Sequence, residues 1–127
     1  MISKIHLHNV LWILIILYIS LSEAVANCIL TGASFNGYSD QEIHSQLAVD
    51  KDSTCIRRAW IGSAATYNRL SFPVKPQHGK AGMASLYEYA YVPKRGYVGP
   101  DSFDMLFLIT FNGLRIRWLA HVDVTIR

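Results

Sequence analysis

From Leu70 onward apolar and polar residues alternate with a period of two, the pattern of strands that bury one face. In "RLSFPVK" Leu70, Phe72 and Val74 fall between Arg69, Ser71, Pro73 and Lys75, and Pro73 on the polar phase marks an edge strand or a bulge. In "LYEYAYV" Tyr87, Tyr89 and Tyr91 share one face, opposite Leu86, Glu88, Ala90 and Val92. "SFDMLFLITF" sets Phe103, Met105, Phe107, Ile109 and Phe111 on one face. Its other face holds Leu106 and Leu108 between Asp104 and Thr110, which predicts a central strand covered on both sides for part of its length. Asn112-Gly113 predicts a type I′ hairpin, because both residues tolerate positive φ. "LRIRWLA" then alternates Leu114, Ile116 and Trp118 against Arg115 and Arg117, and "HVDVTIR" alternates Val122, Val124 and Ile126 against His121, Asp123 and Thr125. Fainter strands in "TCIRRAWIG" and "GKAGMASL" bring the total to about seven, and strands so spaced point to an all-β antiparallel sandwich. "SDQEIHSQLAVD", residues 39–50, opens with a capping residue and an acidic turn and leaves room for a short helix.

The first residues follow another pattern. After Lys4, the run "VLWILIILYISL", Val10 to Leu21, is about 12 residues long. That suits the apolar region of a secretory signal and falls short of the roughly 20 residues needed to span a bilayer. "AVA" at Ala24–Ala26 supplies the small residues of a cleavage site, so a signal peptide over 1–26 and one domain over 27–127 are expected, with no membrane span after cleavage. Cys28 raises a lipid-anchored alternative, but Val25 and Asn27 stand where that signal wants Leu and a small residue.

A mature chain of about 100 residues can bury one core, and a secreted domain of that size often adds a staple. The sequence has two cysteines, Cys28 and Cys55, and an exported even pair reads as one disulfide. Their spacing is not that of a redox or zinc motif. Net charge is +3, in isolated pairs rather than a stripe, so nucleic-acid binding is not expected. The mature histidines, His44, His78 and His121, form no metal-binding spacing, and no G-x-S-x-G presents a nucleophile, so neither a metal, a cofactor nor a catalytic residue is assigned.

Between the tyrosine strand and the strand that follows lies "YVPKRGYVGPDSF". Pro93 ends the first strand, Gly96 and Gly99 free the backbone for a tight crossover, and Asp101 folds its carboxylate onto nearby N–H groups. Tyr97 and Phe103 are expected to point inward and pin the loop to the core. The pattern Y-x-P-x-x-G-Y-x-G-x-D-x-F, Tyr91 to Phe103, resembles the signature of bacterial immunoglobulin-like repeats of the cadherin-like kind. "PQHG", Pro76 to Gly79, matches the P-x-x-G turn of those repeats, and Val122, Val124 and Ile126 match their closing strand. The resemblance covers Leu70 to Arg127 and implies an immunoglobulin-like fold. Family repeats usually come in tandem, whereas one copy occurs here. They often carry an acidic stretch that takes calcium, whereas "CIRRAWIGSAATYNRL" is basic and apolar.

These observations lead to the expectation of a secreted or periplasmic module without enzymatic activity, binding an envelope protein or a surface glycan. The alternative is a small hydrolase or enzyme inhibitor built on a sandwich. Tyr87 and Tyr89, with Arg115 and Arg117, are the candidate binding face, since alternate strand positions present large amphipathic side chains as a ladder. The tyrosines have a competing role in the core, with their hydroxyls at its rim.

Overall fold

A computed structural model of the chain describes residues 28–59 and 64–127. The expected signal peptide and its cleavage site lie outside the described residues. Among these residues there are eight strands and no helix: β1 (Cys28–Thr31), β2 (Gln41–Val49), β3 (Cys55–Arg58), β4 (Thr66–Ser71), β5 (Gly79–Ser85), β6 (Glu88–Pro93), β7 (Gly99–Phe111) and β8 (Leu114–Ile126). They form two sheets, ordered β1-β2-β8-β7-β4 and β3-β6-β5. All pairings are antiparallel except β2 with β8, which run parallel from Gln41↔Trp118 to Val49↔Ile126. The result is a β-sandwich.

Two sequence expectations need correction. The segment at 39–50 is not a helix: Gln41–Val49 is strand β2, with Ile43, Ser45, Leu47 and Val49 turned inward. Its alternation was hidden because one inward position holds a serine, and parallel pairing with β8 outweighs the local capping signal. Second, "LRIRWLA" and "HVDVTIR" are not two strands but the single thirteen-residue β8, and β1 adds a strand the pattern did not show. The central place of β7 and the Asn112-Gly113 hairpin appear as expected, with φ of 49° and 75° at the two turn residues.

The alternating phases explain the core. Phe103, Met105, Phe107 and Ile109 of β7 and the inward residues of β8 from Ile116 to Ile126 are buried against Tyr89, Tyr91 and Cys55 of the smaller sheet. Phe103, wholly buried, stacks on Tyr91 with ring centres 5.7 Å apart. The outer residues of β7, Leu106 and Leu108, are only half-buried. Pro73 falls just beyond the end of β4, an edge strand that carries a register shift between Tyr67 and Arg69.

The disulfide joins Cys28 on β1, at one edge of the five-stranded sheet, to Cys55 on β3, at one edge of the three-stranded sheet, with Cα atoms 5.7 Å apart. It therefore ties the two layers along a shared side. Replacing either cysteine by Ser is expected to lower the unfolding free energy by about 2–4 kcal/mol, measured by urea denaturation. A midpoint equal to that of the parent protein would contradict the staple.

Candidate functional site

The turn between β6 and β7 is built around one carboxylate. Asp101 accepts the Tyr91 hydroxyl at 2.7 Å, the backbone N–H groups of Gln77 and His78 at 3.1 Å each, and the N–H of Ser102 at 2.9 Å. Local turn chemistry accounts only for Ser102. The other donors lie in the PQHG turn and on β6, so the aspartate joins three segments rather than closing its own loop. A buried phenol bonded to a carboxylate is strongly disfavoured from ionising: burial, then the bond to Asp101, pushes the Tyr91 pKa well above its usual value.

The motif glycines have separate reasons. A Cβ on Gly79 would lie 2.6 Å from the Val92 carbonyl oxygen and 2.7 Å from the Tyr91 hydroxyl, so only hydrogen fits. Gly99, at φ 139°, occupies a backbone region that other residues avoid. Gly96 donates its N–H to Asp52 at 2.7 Å, tying this loop to the turn after β2. Pro93 is the last residue of β6 and is buried, and Pro76 opens the turn that Asp101 holds. Phe103 enters the core as expected. Tyr97 is only half-buried: its ring stacks on His78 at 4.2 Å and its hydroxyl donates to the Pro100 carbonyl at 2.6 Å, so it pins the loop to the PQHG turn.

The candidate binding face does not assemble. Tyr89 is 1% exposed and belongs to the core, whereas Tyr87 sits at the β5–β6 turn with its ring 5.9 Å from Tyr67. Strand alternation places residues 87 and 89 in phase, but β6 begins only at Glu88, so Tyr87 leaves the ladder. Arg115 and Arg117 are exposed on the outer face of the other sheet, with no ion-pair partner among the described residues.

That outer face forms the candidate site. Cross-strand pairing puts Leu106 beside Leu119 and Leu108 beside Arg117, and Leu119 is followed across the sheet by Glu42. The three leucines are half-buried. They form a short apolar row between Arg69, Arg115 and Arg117 on one side and a histidine cluster on the other. Next to Leu119, Asp40, Glu42, Leu106 and Arg117 border a shallow depression of about 350 Å³. The backbone there is fixed by the Arg117 N–H, which donates to Asp40 at 2.8 Å.

In the histidine cluster, His121 Nδ1 lies 2.8 Å from Asp104 and Nε2 lies 3.5 Å from Glu42, while His44 stacks on the ring at 4.8 Å. Along the strand the nearest carboxylate is Asp123, two residues away. The true partner comes from β7 through the register Asp104↔His121, which only the folded sheet reveals. The hydrogen bond to Asp104 raises the His121 pKa above the ordinary value, against a smaller opposing effect of burial. Among the described residues no group of three or more histidine, cysteine or acidic side chains is arranged to hold a metal ion.

Comparison of the chain with protein-family models finds no match, and comparison with curated proteins finds none.

Two outcomes follow from this geometry. Asp101→Ala removes the acceptor of four donors, one of them buried, and is expected to cost about 3 kcal/mol in urea unfolding, with Tyr91→Phe costing roughly 1 kcal/mol. Because the His121 pKa is raised on folding, its stabilisation is complete below the unfolded value of about 6.5 and is lost as pH rises through the folded value. NMR titration should find His121 above its ordinary pKa, and Asp104→Asn should move it down and flatten stability across that window. An unchanged titration would show that Asp104 does not hold the proton.

Proposed function

We propose that the protein is a non-enzymatic interaction module of the immunoglobulin-like class, working outside the cytoplasm, that docks a protein of the bacterial cell envelope. The docking surface is the outer face of the five-stranded sheet. The observation that carries this reading is the row Leu106, Leu108 and Leu119 beside arginines that have no ion-pair partner among the described residues. An apolar centre with an arginine-bearing polar rim is the composition of protein-binding surfaces, and a rigid sheet offers it at little entropic cost.

The wider assignment has separate support. A disulfide suits an oxidising compartment, and among the described residues no helix is long and apolar enough to cross a membrane. The order β3-β6-β5 facing β8-β7-β4 agrees with the B-E-D and G-F-C sheets of immunoglobulin folds. The likeness to cadherin-like repeats agrees with the use of its motif positions, since Asp101 and Gly79 act together on one tyrosine. The hydrolase alternative has less support, because both His121 nitrogens face carboxylates where catalysis wants one free to meet a nucleophile. As a surface that binds, the same face would also serve an inhibitor of an envelope enzyme.

The double substitution Arg115→Glu and Arg117→Glu tests the face. Both side chains are solvated, so melting should shift by no more than about 2 °C, a few tenths of a kcal/mol. Retention of the partner from envelope extract by the tagged protein should fall at least about tenfold, consistent with charge reversal at an interface. Undiminished retention by the doubly reversed protein would remove the docking face from this sheet. Loss of retention after glycan removal from the extract, rather than protease treatment, would replace the protein partner by a glycan.

A further inference from the structure

Between the two sheets, on the side of β8 opposite the docking face, lies a cavity of about 810 Å³. Its lining includes Arg57, Arg58 and Ala59 at the end of β3 and Gly32 to Phe35 from the connection between β1 and β2. Its size falls in the range of roughly 300–1,000 Å³ usual for small-molecule sites. Small side chains at inward positions make the room: Ser45 on β2 and Ala120 on β8 stand where neighbouring positions carry Leu47 and Val122. Phe35 stacks on Trp118 at 4.7 Å and closes one wall, and Met105 and Phe107 form the floor from β7.

Besides Ser34, Arg57 and Arg58, two buried polar side chains break this lining. Ser45 and Tyr89 are each 1% exposed, they come from opposite sheets, and both line the cavity. Neither hydroxyl has a hydrogen-bond partner among the described residues, and they are the two buried side-chain polar atoms of which this holds. A buried hydroxyl without a partner works against folding, and a serine and a tyrosine are readily replaced by Ala and Phe in such a site. Both share one cavity, so the fold spends its unsatisfied polar groups in one place. Cross-strand from Tyr89, on β3, stands Arg57, half-buried, bordering the same cavity and without an ion-pair partner among the described residues. Burial pushes the Tyr89 pKa up to about 12 against a smaller opposing pull from Arg57, so the phenol remains a donor at any physiological pH.

We propose that this cavity is a binding site for a small amphipathic carboxylate, whose apolar body lies against Phe35, Phe107 and Trp118 and whose carboxylate is held by the Ser45 and Tyr89 hydroxyls and the Arg57 guanidinium. The three polar groups are all donors toward an anion, two of them neutral and one cationic, which selects a monoanion over an alcohol or an amine. The site is independent of the outer-face docking surface, since it uses the inward phase of β2 and β8.

Decanoate below its micellar concentration, decan-1-ol and decylamine serve as probes on the full chain, with binding read by calorimetry and by shift of the melting temperature. Decanoate is expected to bind and to raise melting, while decan-1-ol binds at least about tenfold more weakly and decylamine not at all. The double variant Ser45→Ala with Tyr89→Phe separates a site from a packing accident. It should melt at or above the parent temperature, because two unsatisfied hydroxyls are gone, and yet bind decanoate at least about tenfold more weakly. Arg57→Gln, checked for unchanged melting, should lower decanoate affinity by a similar factor and leave decan-1-ol unaffected. Absence of decanoate binding at millimolar concentration overturns the proposal. So does equal binding of decanoate by the hydroxyl-deleted variant, or equal binding of all three probes, which would mark the cavity as merely apolar.

Discussion

The carboxylate of Asp101 sits at the start of β7, but three of its four donors belong to other parts of the chain. Through Tyr91 it reaches the central strand of the three-stranded sheet, and through Gln77 and His78 it holds the turn that leads into that sheet's edge strand. Its own strand belongs to the other layer. One side chain thus connects both sheets, and the geometry tolerates little change around it. Tyr91 reaches the carboxylate only because Gly79 leaves room for its hydroxyl, and the ring lies flat on Phe103, two residues beyond Asp101. The disulfide ties the layers through their edge strands β1 and β3, so a covalent link adds to the polar one.

Most of the strands were legible because each alternates cleanly, and the period-two pattern in β7 and β8 also indicates which face is buried. The segment that became β2 was obscured by Ser45, an inward residue of polar type, beside a local sequence that imitates a helix start. Parallel pairing over nine positions with β8 decides the outcome, and no local window contains that information. The motif residues were recognisable as turn-makers, but the long-range partners of Asp101 were not, since they lie 23 and 24 residues upstream. Of the candidate face, the arginines lie exposed on the outer side of β8, and the tyrosines were placed on one row that the fold divides. Their shared phase was real. The start of β6 at Glu88 separates Tyr87 from it.

The distribution of polar groups separates structural roles from those that suggest recognition. Around the β6–β7 turn the Tyr91 and Tyr97 hydroxyls and the Gly96 N–H each find an acceptor within about 3 Å, the ordinary hydrogen-bond range, so these groups serve cohesion. Among the described residues the arginine side chains of the outer sheet face have no such partners, and between the sheets two hydroxyls have none. Water satisfies the exposed arginines, whereas a buried hydroxyl without a partner is a standing cost to stability. Such hydroxyls persist most readily where something outside the chain satisfies them.

The two regions also differ in how they can change. A partner docking on solvated arginines gains from charge without any demand on the core, so substitutions there leave the fold intact. The cavity lies within the layer that Phe103, Tyr89 and Tyr91 fill further along, and its walls are core residues. Widening it removes packing, and closing it with larger side chains at Ser45 or Ala120 would press on Tyr89 and Met105. Removing only the hydroxyls changes neither volume nor packing appreciably. That is the physical reason the polar atoms of Ser45 and Tyr89, rather than the size of the cavity, distinguish a recognition site from a defect in packing: a void needs no donors, and a ligand that carries an anion does.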